Sequence, residues 1–427
     1  MPTRLLAIAV FLLLALAACR KDEPSPTQPE ETFTLYFDNE YNALQARYGA
    51  FISDADGHVR AFRWLEGLDT ASLSVARTAS GDRFDCTVVK ITNIDASGSG
   101  VVDTSISLTT YTNLANGQKI SLRNQEFRQS IDLLIQFTNI NSLDSIIVPD
   151  GLTFARPQPA NNYTGQYRIL HTGKIWLRIL INGEITWRYM FFDNVVGTTQ
   201  AASIDATILP KLLNAPSKYI GLPFNGPWKY EIEGLVDTAS LKFMPLGDLL
   251  RAPGGAVAVF DQLAVFAPEV KPYAGYRIRM SAPVGTAGYG YVSDGYFNSL
   301  PSFLSEPPFD IQPAVPANSR YAAARCLGDI DLVSFTRNYA GLPGVKWEAL
   351  VAAQADAVVS YRLPDLPDEI AALSFALRTY NFGNGVETRA ESYANLSDPA
   401  QIIRQYMAGT DPRWQTKGKL VARIRNF

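Results

Sequence analysis

Histidine and cysteine are scarce in this chain of 427 residues, which contains two histidines and three cysteines. His58 and His171 lie far apart in the sequence and no Gly-x-Ser-x-Gly motif accompanies them, which disfavours histidine-dependent hydrolysis. The sequence has neither a His-Glu-x-x-His motif nor a cysteine cluster, so we expect no metal site and no cofactor. The 41 acidic residues include no pair at a spacing that indicates glycoside hydrolysis. We therefore expect a protein that is not an enzyme.

An excess of charge of one sign is also missing. The chain has 38 basic and 41 acidic residues, which gives a net charge of −3, and the two signs are interspersed. Binding to nucleic acid requires a concentrated face of lysine and arginine to meet the phosphates. We therefore expect no nucleic-acid partner.

The only long apolar run lies at the N-terminus. Arg4 is followed by an unbroken apolar segment, residues 5–18, which ends in two small residues. A membrane-spanning helix needs about 20 apolar residues and this run has about 14. A basic start, a short apolar run and a small-residue end are typical of an export signal. The pattern predicts a signal peptide over residues 1–18, whose removal takes away one positive charge.

The residues at the end of this run are Leu16, Ala17, Ala18 and Cys19. This segment resembles the lipobox of bacterial lipoproteins, in which an apolar residue and two small residues precede the cysteine that carries lipid. The resemblance implies cleavage before Cys19 and attachment to a membrane through lipid on its sulfur. Lipoproteins of this family carry several acyl chains, and more than one chain is needed for stable anchoring.

The residues after the lipobox indicate where the anchored chain would go. Lys21, Asp22 and Glu23 resemble the Lys-(Asp/Glu)-(Asp/Glu) signal that sends some Bacteroidota lipoproteins to the outer face of the outer membrane. A chance charge pattern is the alternative, which leaves the periplasmic face open. Residues 19–32 are rich in proline and polar residues, so we expect a flexible tether there. The expected location is the cell envelope, at the outer membrane and exposed at the surface.

The remainder of the chain has the composition of a folded protein, since 47% of the residues are hydrophobic and 19% are charged. Short β-rich runs separated by turn residues predict a mainly β fold, with two or three β-sandwich-like domains and a few short helices toward the C-terminus. We expect a β-sandwich-like domain over residues 33–155, a β-rich domain over 156–306 and an α+β region over 307–427.

Two β-hairpins have distinct sequence signals. Asp56-Gly57 predicts a hairpin over residues 51–64, because glycine adopts the positive φ that such turns require. This stretch resembles a hairpin of Bacteroidota surface lipoproteins and of carboxypeptidase-regulatory-like sandwiches. Asp54-x-Asp56-Gly57 is also a fragment of a calcium loop, but the further oxygen ligands are missing, so calcium is disfavoured. Asn182-Gly183 predicts a second hairpin with a type I′ turn, whose strands cover residues 174–181 and 184–192.

Helical spacing of apolar residues appears only near the C-terminus. It predicts a helix over residues 347–357. A proline followed by acidic residues predicts a second helix over 366–377. A third helix, 397–407, is expected to begin at a serine cap, and residues 419–424 should form a strand.

Cys86 and Cys326 leave two alternatives open. A disulfide is possible in an oxidising envelope, but both cysteines have apolar neighbours, which favours buried thiols. The aromatic residues, 11% of the chain, likewise fit either core packing or a sugar-stacking surface, and we favour the core.

Three short motifs resemble the Asp-(Ser/Thr)-apolar sites at which some Bacteroidota attach O-glycans. They predict glycosylation at Thr70, Ser145 and Thr238.

These observations favour a non-catalytic binding protein of the cell surface, whose ligand is a glycan or a protein. The alternatives are a structural accessory of an envelope assembly and, third, a hydrolase. Exposed aromatic residues on one surface would favour the glycan, and a broad apolar patch would favour the protein partner.

Overall fold

The computed structural model confirms that the protein is mainly β with a few short helices near the C-terminus. The residues described are 32–38, 46–66, 70–77, 83–94, 103–122, 131–140, 143–147, 151–153, 162–169, 173–195, 199–212, 218–237, 242–245, 250–251, 260–265, 274–283, 289–304, 306, 309–314, 318, 320–339, 341, 343–382, 385–393, 398–408 and 419–426.

The largest sheet contains 12 strands, numbered here in chain order. All neighbouring strands are antiparallel, except for one parallel pair formed by residues 105–111 and 344–350. In order across the sheet, the strands are β17 (Lys242–Pro245), β16 (Lys229–Asp237), β20 (Tyr276–Pro283), β21 (Tyr289–Phe297), β28 (Lys419–Asn426), β27 (Glu387–Tyr393), β24 (Leu332–Tyr339), β25 (Gly344–Ala352), β6 (Asp103–Leu114), β5 (Phe84–Ile94), β2 (Ala46–Asp54) and β3 (Val59–Leu65).

Five smaller sheets are described. In strand order, the first is β4 (Thr70–Ala76), β1 (Thr32–Asp38) and β7 (Lys119–Ser121), and the second is β10 (Gly151–Thr153), β11 (Asn162–Ile169), β8 (Ile131–Thr138) and β14 (Thr199–Asp205). The third is β13 (Arg188–Val195), β12 (Gly173–Ile181) and β9 (Leu143–Ile147), and the fourth is β15 (Lys218–Gly226), β19 (Phe260–Val265) and β18 (Leu250–Arg251). The fifth is β22 (Asp310–Pro313), β23 (Tyr321–Leu327) and β26 (Val358–Arg362). The helices are a 3₁₀ turn at Ala206–Ile208 and α1 (Asp368–Ala371), α2 (Phe375–Thr379) and α3 (Pro399–Met407).

The 12-stranded sheet draws on all three predicted folded segments. Strand β28, from the C-terminal segment, is fifth in this order and pairs with β21 on one side and with β27 on the other. The parallel pair β6–β25 joins the N-terminal segment to the C-terminal one. Hydrogen bonding therefore crosses the predicted boundaries near 155 and 306, and the domain division itself stays a prediction.

Three hydrophobic clusters form the core. The first, core 1, lies entirely within residues 133–304. Core 2 and core 3 each combine residues from the N-terminal and C-terminal segments. Along β5, Cys86 and Val88 belong to core 2, whereas Val89 belongs to core 3. Since side chains alternate along a strand, cores 2 and 3 lie on opposite faces of this part of the sheet.

Different elements cover these two faces. Strands β1 and β4 supply core 2 together with Ile402, Ile403 and Met407 of α3. Strands β22, β23 and β26 supply core 3 together with Ile370 of α1 and Leu377 of α2. Both faces are buried here, and in β24 the first six residues are all buried, as expected for a strand that is covered on both sides.

The helix expected over residues 347–357 is wrong, because this segment contains strand β25. Trp347 and Ala349 face core 3, while Leu350 faces core 2. A strand buried on both faces has apolar residues in both registers, and over a short window these also fit helical spacing.

The hairpin predicted over residues 51–64 is confirmed by the pairing of β2 with β3. Gly57 has φ +86° and donates its N–H to the carbonyl of Asp54 at 3.0 Å. Oδ1 of Asp54 also accepts the N–H groups of Asp56, at 3.1 Å, and His58, at 2.9 Å. The Asp54 carboxylate thus stabilises the turn itself, as in an Asx-turn.

The second hairpin is confirmed in its pairing and differs in its turn. Strands β12 and β13 are antiparallel, but β13 begins at Arg188 and not at residue 184. Gly183 has φ +86°, whereas Asn182 does not have a positive φ. A type I′ turn requires a positive φ at both central residues, so that assignment is wrong.

The two remaining helix predictions are correct in place and differ in detail. Residues 366–377 cover α1 and the first part of α2, which begins after Ser374 because the side chain of Ser374 accepts the N–H of Leu377 at 3.2 Å. The cap of α3 is Asp398, whose carboxylate accepts the N–H of Ala400 at 2.9 Å, and not the preceding serine. Pro399 occupies the first turn, where its missing N–H is not needed.

Candidate functional site

Two exposed aromatic rings share one face of the sheet formed by β15, β19 and β18. Tyr219 is 52% exposed and Phe303 is 59% exposed. Tyr219 and Gly221 point away from core 1, because the alternating residues Ile220 and Leu222 belong to that core.

Phe303 is attached to β15 by backbone hydrogen bonds. Gly221 donates its N–H to the carbonyl of Ser302 at 2.8 Å and accepts the N–H of Leu304 at 2.9 Å. This short parallel bridge places Phe303 directly beside Gly221. A Cβ atom on Gly221 would lie 2.6 Å from Cδ2 of Phe303, so the ring lies over the glycine backbone.

Strand β19 completes this surface from the other side of β15. Gln262 pairs with Gly221, and Ala264 pairs with Tyr219. Gln262 is exposed, whereas Ala264 is buried. We call Tyr219, Gly221, Gln262, Ala264 and Phe303 the aromatic face. It offers two rings for stacking and one amide that both donates and accepts hydrogen bonds.

Phe224, near the end of β15, belongs to a packed group of three aromatic rings. The Phe224 and Trp228 ring centroids are 4.6 Å apart, and the Trp228 and Tyr291 centroids are 5.1 Å apart. The indole N–H of Trp228 donates to the carbonyl of Phe224 at 3.1 Å. Trp228 and Tyr291 belong to core 1, so these rings anchor the end of β15.

The tryptophans agree with the expectation that aromatic residues mainly fill the core. Trp228 and Trp347 are buried, and Trp64 and Trp187 are partly buried. Trp176 lies in β12, but its side chain, like all of Trp414, is outside the described residues. The exposed rings that form the aromatic face are a tyrosine and a phenylalanine, which the sequence did not single out.

Other exposed apolar residues lie elsewhere. Tyr36 is exposed on β1, where it pairs with Ser72 and Lys119. Ile185 lies between Glu184 and Arg188, which form an ion pair, and Ile208 lies in the 3₁₀ turn Ala206–Ile208.

Arg188 connects the segment that contains Ile185 to the 3₁₀ turn that contains Ile208. The guanidinium of Arg188 binds both carboxylate oxygens of Glu184, at 2.9 and 2.7 Å, and also donates to the carbonyls of Thr207 and Leu209. Hydrogen bonds from Arg188, and a further one from Lys211, lower the pKa of Glu184 to about 2.

The most buried group of charges crosses strands β16, β20 and β21. The guanidinium of Arg277 forms a bidentate pair with Asp294, with both distances 2.9 Å. Arg277 also binds Glu233 at 3.1 Å, and Arg279 binds Asp294 at 3.1 Å. Burial raises the pKa of Glu233, against the effect of Arg277. Because these carboxylates are paired with arginines, the arrangement fits a structural network better than proton transfer.

His58 is bound to an exposed polar group. Its Nδ1 lies 3.2 Å from Oδ2 of Asp365, whose Oδ1 accepts a hydrogen bond from Arg320 at 2.7 Å. The hydrogen bond from Arg320 is the main cause of the lowered pKa of Asp365. The guanidinium of Arg320 lies 4.4 Å from the ring centroid of Tyr380. This group connects the turn at Gly57 to the segment before α1. His171 is outside the described residues.

The residues that would carry lipid or direct export lie outside the described part of the chain. These are Leu16, Ala17, Ala18, Cys19, Lys21, Asp22 and Glu23. Within the described ranges, none of the helices has the length and apolar character needed to span a bilayer.

Two of the three predicted glycosylation positions lie in the described part of the chain. Thr70 is exposed at the first residue of β4. Ser145 lies in β9, in register with Leu180 of β12, and Thr238 is outside the described residues. Glycosylation at these positions stays a prediction. In the part of the chain that the structure describes, no group of three or more histidine, cysteine or acidic side chains could hold a metal ion.

The chain was compared with known families, sequences and structures. No protein-family model matches it, and neither does any curated protein sequence. Among solved structures, one match is the CBM26 carbohydrate-binding module of Eubacterium rectale Amy13K in complex with maltoheptaose; identity is 12%, coverage is 44% of this chain and 99% of that chain, and the TM-score is 0.15. Another is a streptococcal ancillary pilin, with 7% identity, coverage of 64% of this chain and 98% of that chain, and a TM-score of 0.13. These TM-scores are too low to define a shared fold.

Proposed function

We propose that this protein is a lipid-anchored, non-catalytic protein of the bacterial cell envelope that binds a glycan through the aromatic face. The observation that carries the proposal is the exposure of Tyr219 and Phe303 on the same side of β15, with the amide of Gln262 beside them. Planar rings stack on the apolar faces of sugars, and an amide matches hydroxyl groups, which donate and accept hydrogen bonds.

Three features support this reading over core packing. The two rings are more than half exposed although they lie on a sheet whose other face is buried in core 1. Gly221 leaves space for the Phe303 ring to lie on the strand. Backbone hydrogen bonds on both sides of Phe303 fix its position before any ligand binds, which lowers the entropic cost of binding.

The glycan proposal is tested by affinity electrophoresis of the full chain through gels that contain soluble polysaccharides. The variants are Tyr219→Ala and Phe303→Ala, and the matched control is Tyr36→Ala, which removes an exposed tyrosine from a different sheet. Each of the first two should weaken binding about tenfold, equal to roughly 1.4 kcal/mol, while the control binds like the wild type. Equal retardation of all four proteins would overturn the proposal.

The anchor is tested separately. Cells expressing the full chain are grown with a fatty-acid analogue that can be coupled to a dye. The wild-type chain should incorporate the label and fractionate with outer membranes, and Cys19→Ser should do neither. An unlabelled wild-type chain would contradict the anchor without affecting the glycan site. Protease treatment of intact cells then distinguishes the surface from the periplasmic face.

A further inference from the structure

We infer that the outer face of the sheet formed by β22, β23 and β26 is a second binding surface, which takes an acidic glycan. It lies on a different sheet from the aromatic face, and the inference goes beyond the proposed function and does not depend on it. It is carried by two exposed arginines of this face, Arg325 and Arg362, and by a third, buried arginine beside them.

Strand alternation separates the two faces of this sheet. Ala322 and Ala324 of β23 and Tyr361 of β26 belong to core 3. The residues between them point to the opposite side, which we call the outer face. Across β23 and β26, the outer face contains three pairs in register: Tyr321 with Arg362, Ala323 with Ser360, and Arg325 with Val358.

The outer face is accessible from solvent. Arg325, Ser360 and Arg362 are exposed, and Val358 is 61% exposed. The middle pair consists of an alanine and a serine, whose short side chains leave room between the two arginines. A ligand can therefore reach both guanidinium groups from the same side of the sheet.

The two guanidinium groups are available to a ligand. Among the described residues, neither that of Arg325 nor that of Arg362 forms an ion pair or a hydrogen bond. The one acidic residue of these three strands, Asp310, lies on the same side and diagonal to Arg325, but no ion pair joins them. A guanidinium without a partner presents parallel N–H donors that match the two oxygens of a carboxylate or sulfate.

A third arginine adds positive charge beside this face. Arg337 of β24 is 3% exposed and donates to the backbone carbonyls of Asn318 and Tyr321. Carbonyls carry no formal charge, and within the described ranges no carboxylate binds Arg337. A buried charge is screened less by salt than an exposed one. Arg337 therefore favours an anion near the Tyr321–Arg362 pair.

A glycan fits this face better than a peptide does. Peptides that bind sheets add a strand at an edge, where main-chain groups are free, whereas β23 is already paired on both sides. A ligand on the outer face therefore meets side chains. Besides the arginines these include the hydroxyl of Ser360 and the exposed amide of Gln312, which pairs with Arg325. Both groups match sugar hydroxyls, which donate and accept hydrogen bonds.

The spacing of the arginines favours a chain over a single sugar. The pair that contains Arg362 lies four residues from Arg325 along β23, which corresponds to about 14 Å. One sugar ring does not span this distance, so the two guanidinium groups meet acid groups on different units. The second contact then benefits from the high effective concentration produced by the first.

The test measures retardation of the full chain in gels that contain a polysaccharide, at low and at high salt. The acidic probes are polygalacturonate, alginate and heparin, and the methyl ester of polygalacturonate is the matched uncharged probe. Polyglutamate represents an acidic peptide. We expect retardation by at least one acidic polysaccharide, stronger than that by the ester or by polyglutamate and reduced by high salt.

Arg325→Gln and Arg362→Gln each remove one exposed positive charge. Each should weaken binding to that polysaccharide about fivefold at low salt, which corresponds to an exposed ion pair of about 1 kcal/mol. The double variant should weaken it about 25-fold, because distant positions act additively. The matched control is Arg63→Gln, which removes an exposed arginine from β3 of the 12-stranded sheet and should bind like the wild type.

Tyr219→Ala distinguishes this surface from the aromatic face and should leave binding to the acidic polysaccharide unchanged. If Tyr219→Ala weakened that binding and the two arginine variants did not, this surface would be overturned and the proposed function supported. Equal or stronger retardation by polyglutamate would overturn the glycan in favour of an acidic peptide. Retardation by none of the acidic polysaccharides would overturn the inference, while the proposed function is decided by its own variants, Tyr219→Ala and Phe303→Ala.

Discussion

Cys86 and Cys326 are buried on opposite sides of the same sheet. Cys86 lies on β5 and faces core 2, whereas Cys326 lies on β23 in core 3. Both are free thiols, so the buried-thiol alternative is correct and the disulfide is absent from this pair. Burial raises the pKa of both thiols, that of Cys326 to about 11, so neither forms a reactive thiolate near neutral pH.

Together with the proposed cleavage before Cys19 and its acylation, this arrangement predicts how the chain reacts with a thiol reagent. In the native protein, extracted from membranes in mild detergent, no thiol should react. After unfolding in urea without a reductant, two thiols should react. No reaction after unfolding would indicate a disulfide. One reactive thiol before unfolding would show that Cys19 is not acylated.

A second prediction concerns Asp85, which lies on β5 next to Cys86. Its Oδ1 accepts the N–H of Asn113 at 2.8 Å, but burial dominates and raises the pKa of the carboxyl to about 6. An acid whose pKa is higher in the folded state binds protons more tightly there, so the free energy of unfolding should fall as the pH rises from about 4 to 6. The full effect corresponds to about 3 kcal/mol.

Asp85→Asn keeps the oxygen that accepts the Asn113 N–H and removes the titration. Urea unfolding at several pH values should show this variant gaining stability relative to the wild type between about pH 4 and 6. Asp261→Asn, at an exposed position of β19, is the control and should follow the wild-type slope. A constant difference between Asp85→Asn and wild type across this range would contradict the assignment.

The fold was predictable wherever the signal is local. Strands β2 and β3 and the turn at Gly57 follow from alternation and from Asp-Gly, which act within a few residues. Strand β25 was misread because its two faces meet two different cores, and that requires knowledge of the layers on both sides of the sheet. Its parallel pairing with β6 joins residues more than 200 positions apart, for which periodicity contains no information.

The aromatic face was not predictable for the same reason. The alternation of Tyr219, Ile220, Gly221 and Leu222 indicates a strand with one buried face, and it also suggests which side Tyr219 occupies. Nothing near Phe303 indicates that it pairs with Gly221, which lies about 80 residues earlier in the chain. Exposure of a ring depends on what packs over it, and that is decided by tertiary structure.

Gly221 provides a third prediction. In Gly221→Ala the new methyl group would meet the Phe303 ring, so we expect a loss of about 1–3 kcal/mol in the free energy of unfolding and weaker glycan binding as the ring moves. Gly385→Ala is the matched control, because its methyl group would enter open space, and should change the free energy of unfolding by less than about 0.5 kcal/mol. Urea unfolding and affinity electrophoresis measure the two effects. Unchanged stability and binding in Gly221→Ala would contradict the close contact.

The last prediction tests whether burial sets the strength of the charge pairs. Arg277 and Asp294 are 2.9 Å apart and almost fully buried, while Lys346 and Glu348 are 3.1 Å apart with side chains that are 52% and 29% exposed. The distances are similar, so a difference in energy must come from the surroundings. Removing one partner of a buried pair leaves an uncompensated charge, which costs about 3–5 kcal/mol, whereas an exposed pair contributes about 0–1 kcal/mol.

Asp294→Asn and Glu348→Gln make the same chemical change at these two pairs, since each replaces a carboxylate by an amide of nearly equal size. Urea unfolding should show a loss near 3 kcal/mol for Asp294→Asn, at the lower end of the range because Glu233 still faces Arg277. Glu348→Gln should lose less than about 1 kcal/mol, and high salt should reduce that loss further because exposed charges are screened. If the two variants lost equal stability, the Arg277 network between β16, β20 and β21 would not be shielded from water. Burial would then not set the strength of these charge pairs.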